Sequence, residues 1–352
     1  MQWLHVVKYE LLARGGIVLK IFHSPVEIAG QMGALVRGLG QYGHEAVGYN
    51  TWFNYLDYAE YLTNTDLASV IRAYDEAKTH YDIFHYHLGV PLYSDMSDLV
   101  ELKSLGRKRV MQHWGNDVRL KSLAQKKSPF LLDPCNPLSD ALMDEKLKRL
   151  GELIPTVIIQ DFELLDYVKN YYMNIYVLPL AFDVTGTQTS YPNPETKIPL
   201  IIHAPTQPSF KGTVFIESTL DLLQKNGFPL RYKRIENMSH AEAMQVYREA
   251  DIVIDQVLVG TYGTFAVEAM SLGKPVIGYI REDLIETFPA TLPVISADPV
   301  TLYHRLIPYL LDGNLRYTAG IKSREYAQMR HDIMNVIPTL LSIYDVVLNQ
   351  TV

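Results

Sequence analysis

The run Asp251 to Ile277, DIVIDQVLVGTYGTFAVEAMSLGKPVI, constrains the fold more than any other stretch of the chain. Its apolar stretch from Asp251 to Gln256 reads as a buried strand, and Gly260 and Gly263 mark a turn. A helix opens near Thr264 with Glu268 one turn in, and Pro275 begins a second strand. Such a unit suits a phosphorylated ligand. Glycines let the backbone approach an anion, and a helix start offers unpaired N–H groups at the positive end of its macrodipole. Glu268 then stands where a carboxylate meets the ribose hydroxyls of a nucleotide. The same pattern also fits a glycine-punctuated strand and helix in any α/β protein.

The alternation continues on both sides of this run. Strands are expected at Ile17–Phe22, Glu45–Tyr49, Ile83–His87, Arg109–His113, Thr156–Gln160 and Ile175–Leu178, with a helix between the first two marked by Met32, Leu35, Val36 and Leu39. Residues 184–199, rich in Thr and Pro, lack apolar periodicity and read as a linker. The pattern then restarts with a strand at Leu200–Ala204, a helix at Val214–Gln224, a strand at Leu230–Ile235 and a helix at Ala241–Ala250, for which Ser239 is the expected N-cap. The tail from Tyr317 to Leu348 is helical in pattern, with an interruption at Pro338. The expectation is an α/β chain of two Rossmann-like domains facing a central cleft, residues 1–183 and 200–329, with ligands at the C-terminal ends of the strands.

A length of 352 residues suits two domains, and 48% hydrophobic with 20% charged residues describes a globular protein rather than a disordered one. The formal net charge of −7 argues against nucleic acid as the main partner. A local basic run, Lys103, Arg107, Lys108, Arg109, Arg119, Lys121, Lys126 and Lys127, has Asp117 as its single acid. It suits an anionic membrane surface or acceptor, or else a solvated face. Cys135 is the one cysteine, so no disulfide framework is expected and a reducing, cytoplasmic setting follows. MQWLHVVKYELLARGG lacks the layout of a secretory signal, and no apolar stretch is long enough to span a bilayer.

The second half of the opening run, Glu268, Ala269, Met270, Gly273, Pro275 and Val276, resembles the donor segment of GT-B glycosyltransferases, closest to retaining family 4, the glycosyl transferases group 1. In that family a first glutamate stands eight residues before the second; here that position is Gly260. The resemblance implies the GT-B fold, with a last helix, about 330–352 here, crossing back onto the first domain. It implies transfer of a sugar from a nucleotide-diphosphate donor to a glycan, lipid-linked or other acceptor, with retention, without a metal and without a separate cofactor. Surface polysaccharide or glycoconjugate synthesis is the family's commonest theme. Donor contacts then fall to Gly30, Lys211, Asp255, Gly260, Gly263, Thr264 and Glu268.

Lys211, in HAPTQPSFKGT, matches the family's Lys-Gly pair, while Thr206 stands where an arginine usually shares the diphosphate. A leaving diphosphate needs such a cation or a helix N-terminus. Lys211 precedes a helix, where a cation is electrostatically unfavourable unless an anion is brought to it. The segment VMQHWGNDVR resembles the family's His-Gly-x-Asp element with Trp114 inserted; it implies that His113 meets the donor sugar and that Asp117 orients it or reaches the acceptor. Asp255 and Gln256 are the polar side chains nearest the missing glutamate, and a strand-end Asp is also a common turn residue. In HSPVEIAGQMG, Gly30 and Gln31 occupy the place of paired glycines, with Ala29 replacing the first.

No Asp-x-Asp pair occurs, so the sequence has no obvious site for a diphosphate-bound divalent ion. His85 and His87, in FHYHLG, project to one face of a strand. With no third histidine or carboxylate placed to join them, they read as core or wall residues. Two rival functions remain: a GT-B-like nucleotide-sugar binding or scaffold protein that has lost turnover, and an NAD-type dehydrogenase. The second lacks Gly-x-Gly-x-x-Gly after the first strand.

Overall fold

The computed structural model describes residues 17–131 and 136–350, so Cys135 and the N-terminal segment MQWLHVVKYELLARGG lie outside the described residues. Two compact units emerge. One comprises the described residues of Met1–Leu120, Asn136–Ala181 and Ile333–Val352, the other those of Lys121–Cys135 and Phe182–Asp332.

The first unit is built on seven parallel strands: β1 (Lys20–Ser24), β2 (Glu45–Asn50), β3 (Thr63–Asn64), β4 (Ile83–His87), β5 (Lys108–His113), β6 (Thr156–Ile159) and β7 (Asn174–Val177). Their order is β3-β2-β1-β4-β5-β6-β7, so the winding reverses between β1 and β4. A parallel sheet covered on both faces reads as an unbroken buried run, as in β4, where all five residues are buried. Register sets His23 beside His85 and His87 beside Gln112.

The second unit has five parallel strands, β8 (Leu200–His203), β9 (Arg231–Arg234), β10 (Ile252–Ile254), β11 (Val276–Gly278) and β12 (Ile295–Ser296). Their order, β12-β11-β10-β8-β9, places the reversal between β8 and β10. In doubly wound sheets ligands gather at the carboxyl ends of the strands flanking such a reversal. The helix Thr264–Ser271 joins β10 to β11 and is buried at every residue after Thr264. It is therefore a core helix rather than an amphipathic one.

Three features depart from the sequence pattern. The helix Lys121–Lys127 belongs to the second unit, where Ser128 Oγ donates to the Leu258 carbonyl at 2.5 Å and the Phe130 ring meets Tyr279 edge-on. Residues 184–199 carry no regular structure but are built into the same unit, because the buried guanidinium groups of Arg316 and Arg324 donate to the carbonyls of Thr196 and Thr187. Finally, Pro338 does not interrupt the tail. The break lies at Asp332, between helices Gly313–His331 and Ile333–Asn349, where its carboxylate accepts from the amide and hydroxyl of Thr185 at 2.7 Å. Pro338 has no N–H for the carbonyl of Met334, and the Tyr42 hydroxyl donates to that carbonyl instead at 2.9 Å.

The helix Ile333–Asn349 buries Ile333, Val336, Ile337, Leu340, Ile343, Tyr344 and Val347, a three-and-four spacing that makes one apolar stripe, in the core of the first unit. Leu340→Ala is expected to lower the unfolding free energy of that unit by about 2–5 kcal/mol, and Tyr42→Phe by only about 1 kcal/mol, both read by urea denaturation.

Candidate functional site

At the carboxyl end of β10 the Asp255 carboxylate is completely buried and makes two short contacts. Lys211 Nζ donates to Oδ1 at 2.7 Å, and the Gly263 amide, at the N-cap of helix Thr264–Ser271, donates to Oδ2 at 2.7 Å. A cation, a backbone amide and a helix start thus converge on one anion. These are the donors a phosphate uses, and the chain's own carboxylate occupies them. A β-carbon at Gly263 would lie 3.4 Å from Lys211 Nζ and 3.5 Å from Asp255 Oδ2, so a side chain there would crowd the pair.

Lys211 does not lie in a loop but ends the short helix Pro208–Lys211, and the Val257 amide donates to its carbonyl at 3.1 Å. Behind it, His203 at the end of β8 bridges two elements: Nδ1 lies 2.8 Å from the Ile254 carbonyl and Nε2 lies 2.9 Å from Thr213 Oγ1. A carbonyl only accepts, so Nδ1 carries the proton and Nε2 receives the threonine hydroxyl. Burial pushes the imidazole down to about 4, keeping it neutral.

Glu268 is buried, and its Oε1 lies 2.9 Å from Nε2 of His240. His240 opens the helix His240–Glu249, whose N-cap is Ser239, as expected from sequence, in a complete capping box with Glu242. His240 is a functional candidate that sequence reasoning missed, since nothing in IENMSH announces a partner 28 residues away. Gly260 stands apart from this cluster. Its φ is +92°, a β-carbon there would come within 2.9 Å of Arg281 Cβ, and its carbonyl accepts from the Arg281 amide. A glutamate at this position would be strained in both backbone and side chain, which is a local reason for the departure from the family pattern.

In the first unit, His113 and Asp117 do meet. His113 Nδ1 lies 2.6 Å from Asp117 Oδ2, and Nε2 lies 2.7 Å from the Tyr172 hydroxyl, in a fully buried ring. Burial works to raise the Asp117 carboxyl, but the His113 imidazole and the amides of Trp114 and Gly115 outweigh it and hold the group below its ordinary value. The carboxylate therefore accepts from Nδ1–H, which fixes the ring's orientation and turns Nε2 toward the Tyr172 hydroxyl. Tyr172 was not legible from sequence; it lies 59 residues beyond His113 and enters through the fold. The inserted Trp114 stacks on His87 with centroids 6.0 Å apart.

Gly30 lies in a different environment. It takes a left-handed turn at φ +78°, and a β-carbon would meet the Tyr58 ring at 3.0 Å. The helix start beside it already holds a carboxyl group of the chain: Glu27 accepts from the amides of Met32 and Gly33 at 3.3 and 2.8 Å. Burial pushes the Glu27 carboxyl up to about 7 against those amides. Gln31 clasps the backbone of Ala181, accepting from its amide at 2.8 Å and donating to its carbonyl at 3.1 Å.

Two sequence expectations look different in three dimensions. The basic run does not form one surface: Arg109 is buried and donates to the Leu153 carbonyl, and Arg119 is buried in an ion pair with Glu163 at 2.7 Å. His85 and His87 do acquire a third histidine, His23, from the neighbouring strand. Among the described residues no helix is long and apolar enough to cross a membrane.

No protein-family model matches the sequence, and no curated protein matches it. Solved structures match at low identity. A glycosyltransferase from Rickettsia africae is 14% identical, with a TM-score of 0.64 covering 95% of this chain and 100% of that one. Anabaena HepE in complex with UDP-glucose is 13% identical, with a TM-score of 0.61 covering 93% and 100%. A sucrose-phosphate synthase from Thermosynechococcus elongatus is 13% identical, with a TM-score of 0.59 covering 93% and 98%. Together with the two parallel-sheet units, these likenesses show the two-domain, Rossmann-like GT-B fold that the sequence leads one to expect.

The neutral His203 generates a pH test. Its folded value, near 4, lies below its ordinary 6.5, so between these values the unfolded chain binds a proton that the fold does not. Its contribution to stability is full above pH 6.5 and is lost as pH falls toward 4, at roughly 1.4 kcal/mol per pH unit. Denaturant unfolding of the second unit across this range is expected to show that slope, and His203→Gln is expected to flatten it.

Proposed function

We propose that this protein is a glycosyltransferase that moves a hexosyl group from a nucleotide-diphosphate sugar to a glycan or lipid-linked acceptor, with retention and without a metal at the diphosphate. The observation that carries this reading is the meeting of Lys211 Nζ and the Gly263 amide on one carboxylate beside the strand reversal of the second unit. A donor diphosphate can share the same cation and helix start, because Lys211 Nζ has three N–H groups and can bridge the phosphate to Asp255. Still paired with Lys211, the Asp255 carboxylate is the group that meets sugar hydroxyls in place of the glutamate missing at Gly260. Thr264 continues the amide row beside the phosphates, and Glu268, oriented by His240, receives the ribose hydroxyls.

His113 and Asp117 are assigned as the first unit's catalytic pair. Asp117 accepts from Nδ1–H and fixes the ring's orientation, so Nε2 is presented to a hydroxyl, the place Tyr172 now fills. In a retaining reaction the leaving phosphate itself takes the acceptor proton, which is consistent with His113 acting by orientation. The low-identity likeness to glycosyltransferases, one of them holding UDP-glucose, supports the donor class. A cytoplasmic enzyme of polysaccharide or glycoconjugate synthesis, in peripheral contact with an anionic membrane where its acceptor lies, fits the composition and the single cysteine.

The second reading, a nucleotide-sugar binding protein without turnover, is favoured by two observations: the backbone at Gly260 excludes a glutamate, and Thr206 supplies no second cation. Calorimetric titration of the full chain with a panel of nucleotide sugars, followed by an assay of slow donor hydrolysis, separates the two. For the enzyme, Lys211→Ala is expected to reduce donor hydrolysis by about 10²–10³-fold. Asp255→Asn is expected to lose turnover while keeping nucleotide affinity. Full turnover in Asp255→Asn would overturn the role given to Asp255. Donor binding with no hydrolysis or transfer by the unaltered chain would establish the binding protein.

A further inference from the structure

At the reversal of the first unit's sheet, between β1 and β4, three histidines converge. His23 is the register partner of His85, and His87 follows two residues along the same strand, so all three project from one face. Each offers one ring nitrogen, and these atoms lie within 4.8 Å of one another. All three side chains are completely buried.

The hydrogen bonding of this cluster is incomplete. His23 Nδ1 and His87 Nε2 are 3.0 Å apart, and His85 Nδ1 lies 2.7 Å from the Tyr344 hydroxyl. That leaves His85 Nε2 and His87 Nδ1 buried without partners. Gln112 Oε1 and Trp114 Nε1, from β5 and the turn after it, are likewise buried and unpaired. Gln112 lies close enough to act on His85, yet the two do not meet in hydrogen-bond geometry. Buried polar atoms are rarely left unsatisfied, and four on two neighbouring chain segments mark a place where something binds.

We propose that His23, His85 and His87 form the ligand set of a divalent transition-metal ion, with zinc the best suited. Three imidazoles with no carboxylate among them favour zinc, copper or nickel over magnesium or calcium, which require oxygen ligands. His85 has the arrangement expected of a ligand: its Nδ1 faces the Tyr344 hydroxyl, which orients the ring and leaves Nε2 for the ion. The Tyr344 hydroxyl also lies 3.5 Å from His23 Nε2, so it supports a second ligand in the same way. Tetrahedral ligands stand about 3.3 Å apart when each metal–nitrogen bond is about 2.0–2.1 Å, so ligation draws these atoms together and turns the His85 and His87 rings, now stacked with centroids 4.5 Å apart, out of parallel. The fourth position falls to water. Such an ion joins β1 to β4 and, through Tyr344, to the helix Ile333–Asn349; it makes no claim on the donor diphosphate and does not depend on the glycosyltransferase reading.

The test uses the full chain stripped with a chelator and titrated with zinc and with cobalt(II). One ion per chain is expected, with the intense visible absorption of tetrahedral cobalt and a rise in the melting temperature on zinc binding. His85→Gln and His23→Gln are expected to abolish uptake, whereas His80→Gln, at an exposed histidine, leaves it unchanged. Tyr344→Phe is expected to weaken zinc binding by about tenfold or more. Should the histidine variants fail to fold, X-ray absorption of the zinc-loaded unaltered chain decides the matter: three imidazole ligands support the site, and fewer overturn it. Absence of stoichiometric uptake, an octahedral cobalt spectrum, or binding that survives His85→Gln in folded protein also overturns it.

Discussion

The buried carboxylate of Asp255 holds the second unit's site together. An anion with no exposure is tolerated only when it is paired and hydrogen-bonded, and Asp255 meets that requirement with one lysine and one helix-start amide. Its placement also resolves a tension in the sequence, where a lysine beside a helix start looks electrostatically misplaced. With the carboxylate between them, the cation and the positive end of the helix both face negative charge. The cost of desolvating the pair is accepted where the loop, the strand end and the helix must be kept in register.

The same device recurs in the first unit with a different outcome. Glu27 accepts from two amides at a helix start, but among the described residues no lysine pairs with it, so its carboxyl group closes that helix with no cation to share. Asp117 accepts from two loop amides and from His113, fixing a tautomer. Three carboxylates near glycine-bearing loops thus play three roles, and the partner on the second oxygen decides which.

Strand positions were readable because a parallel sheet buried on both faces has to be written as short apolar runs, and β4 begins and ends where the sequence places it, at Ile83 and His87. Errors arose where a side chain distant in sequence supplied what the local pattern lacked. Pro338 looked like a break because its missing N–H strands the Met334 carbonyl, and Tyr42, 292 residues away, satisfies it. Residues 184–199 looked like a free linker because Arg316 and Arg324, which bind their carbonyls, come more than a hundred residues later. His85 and His87 looked like an incomplete pair because His23 arrives only through strand register.

By itself the sequence determined the alternation of strand and helix and the glycine turn before Thr264, and it singled out Lys211, Glu268, His113 and Asp117 by residue type and motif. Those are properties of local periodicity, turn geometry and residue type. Tertiary structure alone decided their partners: Asp255 for Lys211, His240 for Glu268, Tyr172 for His113, Arg281 against Gly260. Partners across a sheet are set by strand order and register, and strand order depends on how the whole chain buries its apolar faces, which no local window contains.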